Sequence, residues 1–510
     1  MKNAMRWVPL GLTLLSLAPG GLYAASPSPR AEAPAFTWHC GLFRVNSDIS
    51  SGTEGVETIA RKAEAEGMAF VVFTDQFLVR VEYGLPPFRR VARVAREQDS
   101  VVRYGIDAYL GRLNRLQLEN PGLVIIPGVD VAPALWWTGN PMRGTLTAPQ
   151  FSQQMTIFGP QDATFYRDLP VIFNTRPGCR FPGTLVALLP LLLAGLGWRL
   201  IRTPPQAYYE DCQGNRYTGP RWPRHLLGGV LLVVGILWTI DNHPFTVGPS
   251  WSPYRPPGLA PYQAVCDHVR ERGGPEAGVI WSHPEITMRQ GMPGVRLVTL
   301  PYLDDVEKTF GHNGLAGIYG DAFRAHLPGQ AWDRMLAQYA RGERQVRPVI
   351  VGESDYHGGD RALPLIQTVV RIAAPGRRAI LRALLAGNSY ALCRQPEQTL
   401  TLDEATVATA QRTASLGETL SWDGHEPLAF RLRGHLDGPP PPPSAAARLT
   451  VVVDGREVAS EMLALPQFEV TLPISPEGAD LHLHYVRFHI QGIGGQLIAN
   501  PIFMQMEATP

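Results

Sequence analysis

Acidic and imidazole side chains follow several apolar runs of this sequence, and together they could bind a metal ion. The runs AFVVFTD (69–75), LVIIPGVDV (123–131), GVIWSHPE (278–285) and RPVIVGESDYH (347–357) each read as a buried strand that ends in polar residues. A single aspartate after a strand is more often a turn or a helix cap, so the set matters more than any member. The side chains at these ends, with one that follows the first apolar stretch, are His39, Asp75, Asp130, His283, Asp355 and His357.

Metal-dependent hydrolysis is the chemistry that such a set supports. Carboxylate oxygens and imidazole nitrogens suit a divalent metal such as Zn, Mn or Fe. A bound ion lowers the pKa of a water molecule and so supplies a nucleophile for ester cleavage. In that case we expect His283 or His357 to assist proton transfer.

These side chains need a fold that brings strand ends together. Residues 36–180 and 242–396 alternate the apolar runs with helical patterns at 53–66 and 375–386. Strand–helix alternation predicts an α/β fold, and a distorted (β/α) barrel would gather the strand ends at one mouth.

The pattern of apolar and polar residues changes at about residue 397. Residues 397–510 contain period-two runs separated by DG, EG and GG turns, which predicts a C-terminal β-sandwich. Its run LHLHYVRFH (481–489) alternates histidine with apolar residues, and we expect these histidines to face solvent.

Three segments indicate export and membrane attachment. Residues 1–25 have a basic start and an apolar core, as in a signal peptide or an N-terminal anchor, and 26–35 read as a linker. Two apolar runs at 182–201 and 226–240 predict a transmembrane helical hairpin over 181–241; the alternative is a buried hairpin of a soluble domain. Arginines near and within the loop at about 202–225 place that loop in the cytoplasm and the main domains on the extracytoplasmic (periplasmic) side of a bacterial membrane.

Composition excludes other classes of protein. The net charge of +1 gives no electrostatic basis for binding nucleic acid. The five cysteines form no CxxC pair, so neither a zinc ribbon nor a dense disulfide framework is indicated.

Five segments in order resemble the PHP (polymerase and histidinol phosphatase) superfamily of metallohydrolases. That family opens with HxH followed by SD and, after a helix, TDH; here the stretch reads WHCGLFRVNSD and later FTDQF. The later motifs appear as IIPGVDVA, WSHPE and GESDYH, and LRALLAGNSYAL follows them. The C-terminal YVRFHIQGIGGQLIANPIF is similar to the end of PHP proteins of the CehA/McbA type.

The resemblance implies a partly degenerate metal site. With the first histidine of HxH placed at His39, the second is Gly41, and the histidine of TDH is Gln76. Asp48 and Asp75 become supporting residues. The metal ligands that the resemblance leaves are His39, Asp130, His283, Asp355 and His357.

Two functions remain open at this stage. The first is a membrane-tethered metal-dependent hydrolase of phosphoesterase type, acting on a small-molecule ester with one ion or none in its site. The second is a PHP pseudoenzyme that binds a ligand or a partner.

Overall fold

A computed structural model describes residues 36–203, 208–210, 212–218, 221–249, 251–320, 323–359, 362–442, 444–476 and 483–507. The predicted signal peptide or anchor (1–25) and the linker (26–35) lie outside this described part.

The first part of the chain forms strands at the expected apolar runs. Alternate residues of these strands, such as Val71 and Phe70, are buried in cores on opposite faces of the sheet, which explains the unbroken apolar runs. The elements are β1 (Thr37–Val45), α1 (Val56–Ala65), β2 (Phe70–Phe73), β3 (Arg80–Gly84), β4 (Arg93–Glu97), α2 (Val101–Tyr104), α3 (Ile106–Glu119), β5 (Val124–Val131), β6 (Leu146–Pro149), β7 (Met155–Phe158), α4 (Ala163–Arg167) and β8 (Arg176–Pro177).

The predicted hairpin is a pair of packed apolar helices. The first apolar segment consists of α5 (Gly183–Leu188) and α6 (Leu191–Arg202), and the second is α7 (Trp222–Asn242). The short strands of this region are β9 (Tyr208–Glu210) and β10 (Arg216–Thr218), which lie between the two segments, and β11 (Thr246–Val247), which follows the second. The segments Gly183–Arg202 and Trp222–Asn242 are long and apolar enough to cross a membrane, by length and composition alone.

Small residues bring these two helices together. A Cβ atom added at Gly197 would lie 2.5 Å from the carbonyl oxygen of Gly228, and one at Gly235 would lie 2.6 Å from the Ala194 nitrogen. Large side chains point outward instead: Leu192 is 72% exposed and Leu226 is 61% exposed. Close contact through small residues is typical of helices packed in a membrane.

The chain re-enters the sheet after the hairpin. The elements here are α8 (Ala260–Arg272), β12 (Gly278–Trp281), β13 (Met288–Met292), β14 (Val295–Thr299), α9 (Leu303–Lys308), β15 (Gly314–Ile318), α10 (Ala331–Ala340), β16 (Val349–Gly352), β17 (Ile366–Ile372), α11 (Arg377–Ala386) and β18 (Ser389–Arg394).

The C-terminal part is made of strands. They are β19 (Thr399–Ala408), β20 (Thr413–Ser415), β21 (Thr419–Trp422), β22 (Leu428–Asp437), β23 (Ala446–Val453), β24 (Arg456–Ala464), β25 (Gln467–Ile474), β26 (Leu483–Gly492), β27 (Gly495–Ala499) and β28 (Ile502–Met506).

One large sheet runs through both parts of the chain. Its order is β16-β15-β12-β7-β5-β2-β1-β17-β18-β27-β26-β23-β24, so C-terminal strands continue the sheet that begins in the first part. A second sheet, β20-β19-β22-β25, shares an apolar core with that extension. The protein is therefore a mixed α/β structure with large sheets, while the barrel, the sandwich and the domain limits stay predictions.

Backbone hydrogen bonds join the segment after β16 to β1. The Ser354 nitrogen donates to the Phe43 oxygen at 2.8 Å, and the Asn46 nitrogen donates to the Tyr356 oxygen at 2.8 Å. The carboxyl ends of β1 and β16 consequently meet, although these strands stand far apart in the sheet order.

Candidate functional site

A buried arginine lies at the centre of the polar residues that gather where the strands end. The Arg44 side chain, near the end of β1, is 3% exposed. Its Nε donates to Asp130 Oδ2 at 2.6 Å, its Nη1 to Glu353 Oε1 at 2.6 Å and to Asp355, and its Nη2 to Gln154 Oε1 at 2.7 Å. We call these five residues the Arg44 cluster. It joins β1, β5, the residue before β7 and the segment after β16.

Unusual backbone geometry aims three of the polar side chains at this centre. Arg44, His283 and Asp355 have φ values of 68°, 30° and 45°, in the left-handed region that non-glycine residues seldom occupy. Each such residue costs about 1–3 kcal/mol and persists only where its surroundings hold it. Strained backbone at three strand ends around one cluster points to a functional site.

The charge state of the cluster follows from burial and crowding. Burial opposes the charge on Arg44, but Asp130, Asp355 and Glu353 raise its pKa, so the guanidinium stays charged. Burial raises the pKa of Glu353 to about 8 despite Arg44. Burial alone would raise the pKa of Asp355, but the Arg44 guanidinium and His357 outweigh burial and hold this pKa well below its usual range. One cation therefore serves more carboxyl groups than it can neutralise.

His283 is a neutral member of the site. Burial and then the Arg44 charge lower its pKa to about 3. Its Nε2 donates to Gln154 Oε1 at 3.0 Å, and its Nδ1 lies 3.2 Å from the hydroxyl of Tyr302. Its backbone nitrogen donates to Glu353 Oε2 at 3.0 Å, which ties the strand end to the cluster.

His357 extends the site toward solvent. Its Nε2 lies 3.1 Å from Asp355 Oδ1, and its Nδ1 lies 2.9 Å from the hydroxyl of Ser51. The side chain is 39% exposed, so this His–Asp pair is the part of the site that water reaches.

Hydroxyl groups hold the acidic side chains in place. Asp130 Oδ1 accepts a hydrogen bond from Thr156 Oγ1 at 2.5 Å. Asp75 accepts from the backbone nitrogen of Ser47 at 2.8 Å and from the hydroxyls of Ser47 and Ser50 at 2.8 and 2.7 Å. Burial raises the pKa of Asp75 to about 6.

The structure brings four of the five predicted ligands to this site and leaves one elsewhere. Asp130, Asp355, His283 and His357 surround or adjoin Arg44. His39 stands five residues before Arg44 on β1, which is about 17 Å along an extended strand. Its Nε2 lies 2.8 Å from Thr37 Oγ1, at the other end of β1. Its assignment as a ligand is therefore corrected.

The register of the opening motif explains this correction. Arg44 is the next-to-last residue of β1, Asn46 follows the strand, and Ser47 and Asp48 come directly after it, in the order that the SD of the motif would have. The resemblance to the PHP opening motif would therefore place its HxH positions at Arg44 and Asn46. Of the residues expected to support the site, Asp75 lies beneath this turn, whereas Asp48 pairs with Arg112 at 3.0 Å on the surface.

Sequence reasoning missed Arg44, Gln154 and Glu353. Arginine is not a metal ligand, so a search for ligand types passes over it. Glu353 could have been found, because it lies two residues before Asp355 in the polar run that directly follows a buried strand.

The residues around Arg44 do not fit a divalent metal. In the described part of the chain no group of three or more His, Cys, Asp or Glu side chains is placed to hold one. The guanidinium lies between the carboxylates of Asp130, Glu353 and Asp355 and uses the oxygens that an ion would need. Two cations of this charge would repel strongly at such short range.

A cavity of about 680 Å³ lies beside the Arg44 cluster. Asp130, Gln154 and Gln76 form part of its polar wall, and Leu135, Phe151 and Phe173 form part of its apolar wall. A mostly apolar cleft with a few convergent polar groups is the usual form of a small-molecule site.

Comparison with solved structures gives nine likenesses, two of which are described below. No family model and no curated protein matches the chain. A two-domain Bacteroides vulgatus protein containing a predicted PHP-like metal-dependent phosphoesterase is 9% identical, with a TM-score of 0.36, covering 91% of this chain and 95% of its own. A Bifidobacterium adolescentis protein, whose assignment as a metal-dependent phosphoesterase is also a prediction, is 16% identical, with a TM-score of 0.26, covering 63% and 89%.

Proposed function

We propose that this chain is a membrane-tethered PHP-type pseudoenzyme of the CehA/McbA-like branch, which binds a small molecule beside a built-in guanidinium. The observation that carries the proposal is the position of Arg44, whose three nitrogens contact the acidic and amide groups of the site. A PHP-type site would hold metal at that place, and here the chain supplies its own cation.

The guanidinium suits this role on physical grounds. Its planar fork matches several carboxylates at once, and it keeps its proton at any physiological pH. An ion pair buried this deeply is sensitive to the loss of either partner, because an uncompensated buried charge costs about 3–5 kcal/mol. Displacing Arg44 from its partners to admit an ion would carry a cost of that kind.

A metal-dependent hydrolase of phosphoesterase type is the second candidate. The observation that favours it is the convergence of Asp130, Glu353 and Asp355 on one point, with His283 beside them. The half-exposed His357–Asp355 pair would then face the substrate. This function requires Arg44 to leave the centre of the site.

Membrane attachment is part of the proposal. The two apolar helices pack through small residues and expose their large side chains, which fits a lipid environment. The arginines of the connecting loop favour a cytoplasmic loop and an extracytoplasmic, periplasmic main domain. The net charge of +1 still argues against nucleic acid as a partner.

Metal binding by matched variants of Arg44 tests the function. Zinc and manganese binding to the purified full chain is measured by calorimetry, together with metal content and hydrolysis of p-nitrophenyl phosphate. We expect the unmodified chain to bind neither ion and to leave the ester intact. Arg44→Ala should bind zinc, because three carboxylates then face an empty space.

Arg44→Lys is the matched control. It keeps a positive charge in the site, so zinc should still be excluded. Zinc bound stoichiometrically by the unmodified chain, with ester hydrolysis that Asp130→Asn abolishes, would instead establish the hydrolase.

A further inference from the structure

We infer that the cavity beside the Arg44 cluster binds an amphiphile drawn from the adjoining bilayer, with its apolar tail along the apolar wall and its polar head toward the cluster. This inference rests on the proposed membrane attachment and names the ligand class of the proposed binding site.

The lining of the cavity is divided in the way such a molecule requires. Leu78, Leu135, Phe151, Phe173 and Leu297 give an apolar wall. An alkyl chain laid along this wall would be removed from water, which favours binding in proportion to the apolar area that it buries. A soluble, highly polar phosphoester would leave this wall without a partner.

The polar wall offers hydrogen bonds and one cation. Gln76, Gln98 and Gln154 line the cavity together with Asp130, whose charge Arg44 already balances. Arg96 also lines it and has no carboxylate partner among the described residues. These groups suit a head with hydrogen-bonding groups and an anionic group near the rim.

The apolar wall of the cavity is continuous with the base of the hairpin. Ile172, Phe173 and Leu297 pack in one cluster with Trp251 and Tyr254. Phe173 lies ten residues before the first apolar helix, and Trp251 lies nine residues after the second. The segments that enter and leave the proposed membrane hairpin therefore build one side of the site.

The β3–β4 hairpin, residues 80–97, connects the cavity to the end of α7; we call it the flap. Arg80, Val81 and Arg96 of the flap line the cavity. At its far end the backbone nitrogens of Arg90 and Val91 donate to Asp241 Oδ1 at 2.6 and 3.0 Å. One short hairpin thus contacts both the ligand site and the helix end.

Exposed apolar side chains surround this junction. On the flap, Leu85 is 53% exposed, Val91 44% and Val94 80%. Phe181 and Phe245, which flank the two helices, are 80% and 59% exposed. Arg90 and Arg93 lie among them. Exposed apolar residues together with basic ones are what a protein presents to the surface of an anionic bilayer.

Photolabelling in a bilayer tests the inference. The full chain is placed in nanodiscs of phosphatidylethanolamine and phosphatidylglycerol with a lysophosphatidylglycerol that carries a photoreactive group in a 12-carbon chain. We expect labelled peptides from the cavity wall, and labelled hairpin helices from contact with bulk lipid. Unlabelled lysophosphatidylglycerol should compete for the cavity, and glycerol phosphate alone should not.

Gly291→Phe is the blocking variant, because Gly291 lines the cavity and a Cβ atom there meets nothing within 4 Å. It should reduce cavity labelling about tenfold, equivalent to ~1.4 kcal/mol of affinity, and leave hairpin labelling unchanged. Gly111→Phe, at another open glycine that is away from the cavity lining, is the control and should change neither.

The outcomes separate the two proposals. Labelled helices with an unlabelled cavity, or cavity labelling that Gly291→Phe does not reduce, would overturn the amphiphile and leave the membrane tether standing. Full competition by glycerol phosphate would make the ligand a soluble phosphoester and also overturn it. If the helices remain unlabelled, the tether itself fails, and the inference fails with it.

Discussion

Arg44 and Arg487 are two buried arginines whose guanidinium charges are compensated in different ways. Arg487 on β26 is paired with a single carboxylate: its Nε donates to Asp333 Oδ1 at 2.7 Å and its Nη2 to Asp333 Oδ2 at 2.5 Å. Its Nη1 finds no hydrogen-bond partner among the described residues. Arg44 instead uses every nitrogen and faces three carboxyl groups.

The difference lies in the balance of charge. Arg487 and Asp333 form a one-to-one pair that fastens α10 to the large sheet, which is a structural role. Around Arg44 three carboxyl groups share one guanidinium. Burial raises the pKa of one of them, Glu353, to about 8. Several carboxyl groups around one point are what a site for a doubly charged ion would have. The Arg44 cluster therefore resembles a metal site in which the guanidinium takes the place of the ion.

The largest expected effect comes from removing the central cation. Arg44→Ala should lower the free energy of unfolding by about 4 kcal/mol, because the buried acids Asp130 and Glu353 lose their partner. Added zinc should restore much of this loss, since a ligand that binds only the folded state stabilises it. Thermal unfolding with and without zinc measures both effects.

Arg44→Lys serves as the reference in the same measurement. It should be destabilised less, and zinc should not raise its melting temperature. Equal behaviour of the alanine and lysine variants in zinc would show that these carboxyl groups do not form a metal site.

A smaller effect is expected at the structural pair. Arg487→Met should cost about 3 kcal/mol, because Asp333 remains buried without its partner. The double variant Arg487→Met with Asp333→Leu should recover most of that loss, and zinc should affect neither. Failure of the double variant to recover would mean that the pair contributes more than its own charge balance.

The pH dependence of stability should report on the buried histidines near Arg487, in addition to His283 beside Arg44, whose pKa burial lowers in the same direction. Beside Arg487 and Asp333, the rings of His326 and His489 lie 5.3 Å apart, and Phe323 packs on His326. Burial lowers the pKa of His326 to about 3 and that of His489 to about 4, from 6.5. The unfolded chain therefore takes up protons first, and stability is lost as the pH falls from 6.5 towards 4.

The expected loss is on the order of 1 kcal/mol per pH unit for each histidine in that range. His489→Phe keeps an aromatic ring and removes the titrating group, so its stability should fall less steeply between pH 6.5 and 4.5. Chemical unfolding at a series of pH values makes the comparison. Parallel curves for the two proteins would assign acid sensitivity to another group.

The smallest effect is expected at His39. Because this side chain lies at the far end of β1 from Arg44, His39→Ala should change the free energy of unfolding by no more than about 0.5 kcal/mol. It should not alter zinc binding by the Arg44→Ala variant. Loss of zinc binding in the double variant would return His39 to the site.

Sequence patterns located the strands and most of the polar residues at their ends. The four apolar runs form β2, β5, β12 and β16, because unbroken apolar segments fit strands buried on both faces. Asp130, His283 and Asp355 follow from that placement. The two long apolar helices likewise follow from composition alone.

What the sequence could not supply was set by contacts between distant segments. Arg44 acquires its role only when three acids from β5 and the segment after β16 close around it. The expected solvent-facing histidines are another case: His484 and His489 are 2% and 8% exposed. Helix α10 covers part of β26, and no pattern within the strand records what packs on it.

The pairing of β8 with β11 means that the apolar hairpin departs from and returns to neighbouring points of the backbone. Arg176 lies opposite Val247, and the Gly178 nitrogen donates to the Phe245 oxygen at 3.0 Å. A turn of a few residues could span that gap at a small entropic cost. The apolar hairpin is thus joined to the rest of the chain at two adjacent points, and a variant in which a short turn replaces residues 179–244 should keep the fold of the remaining chain.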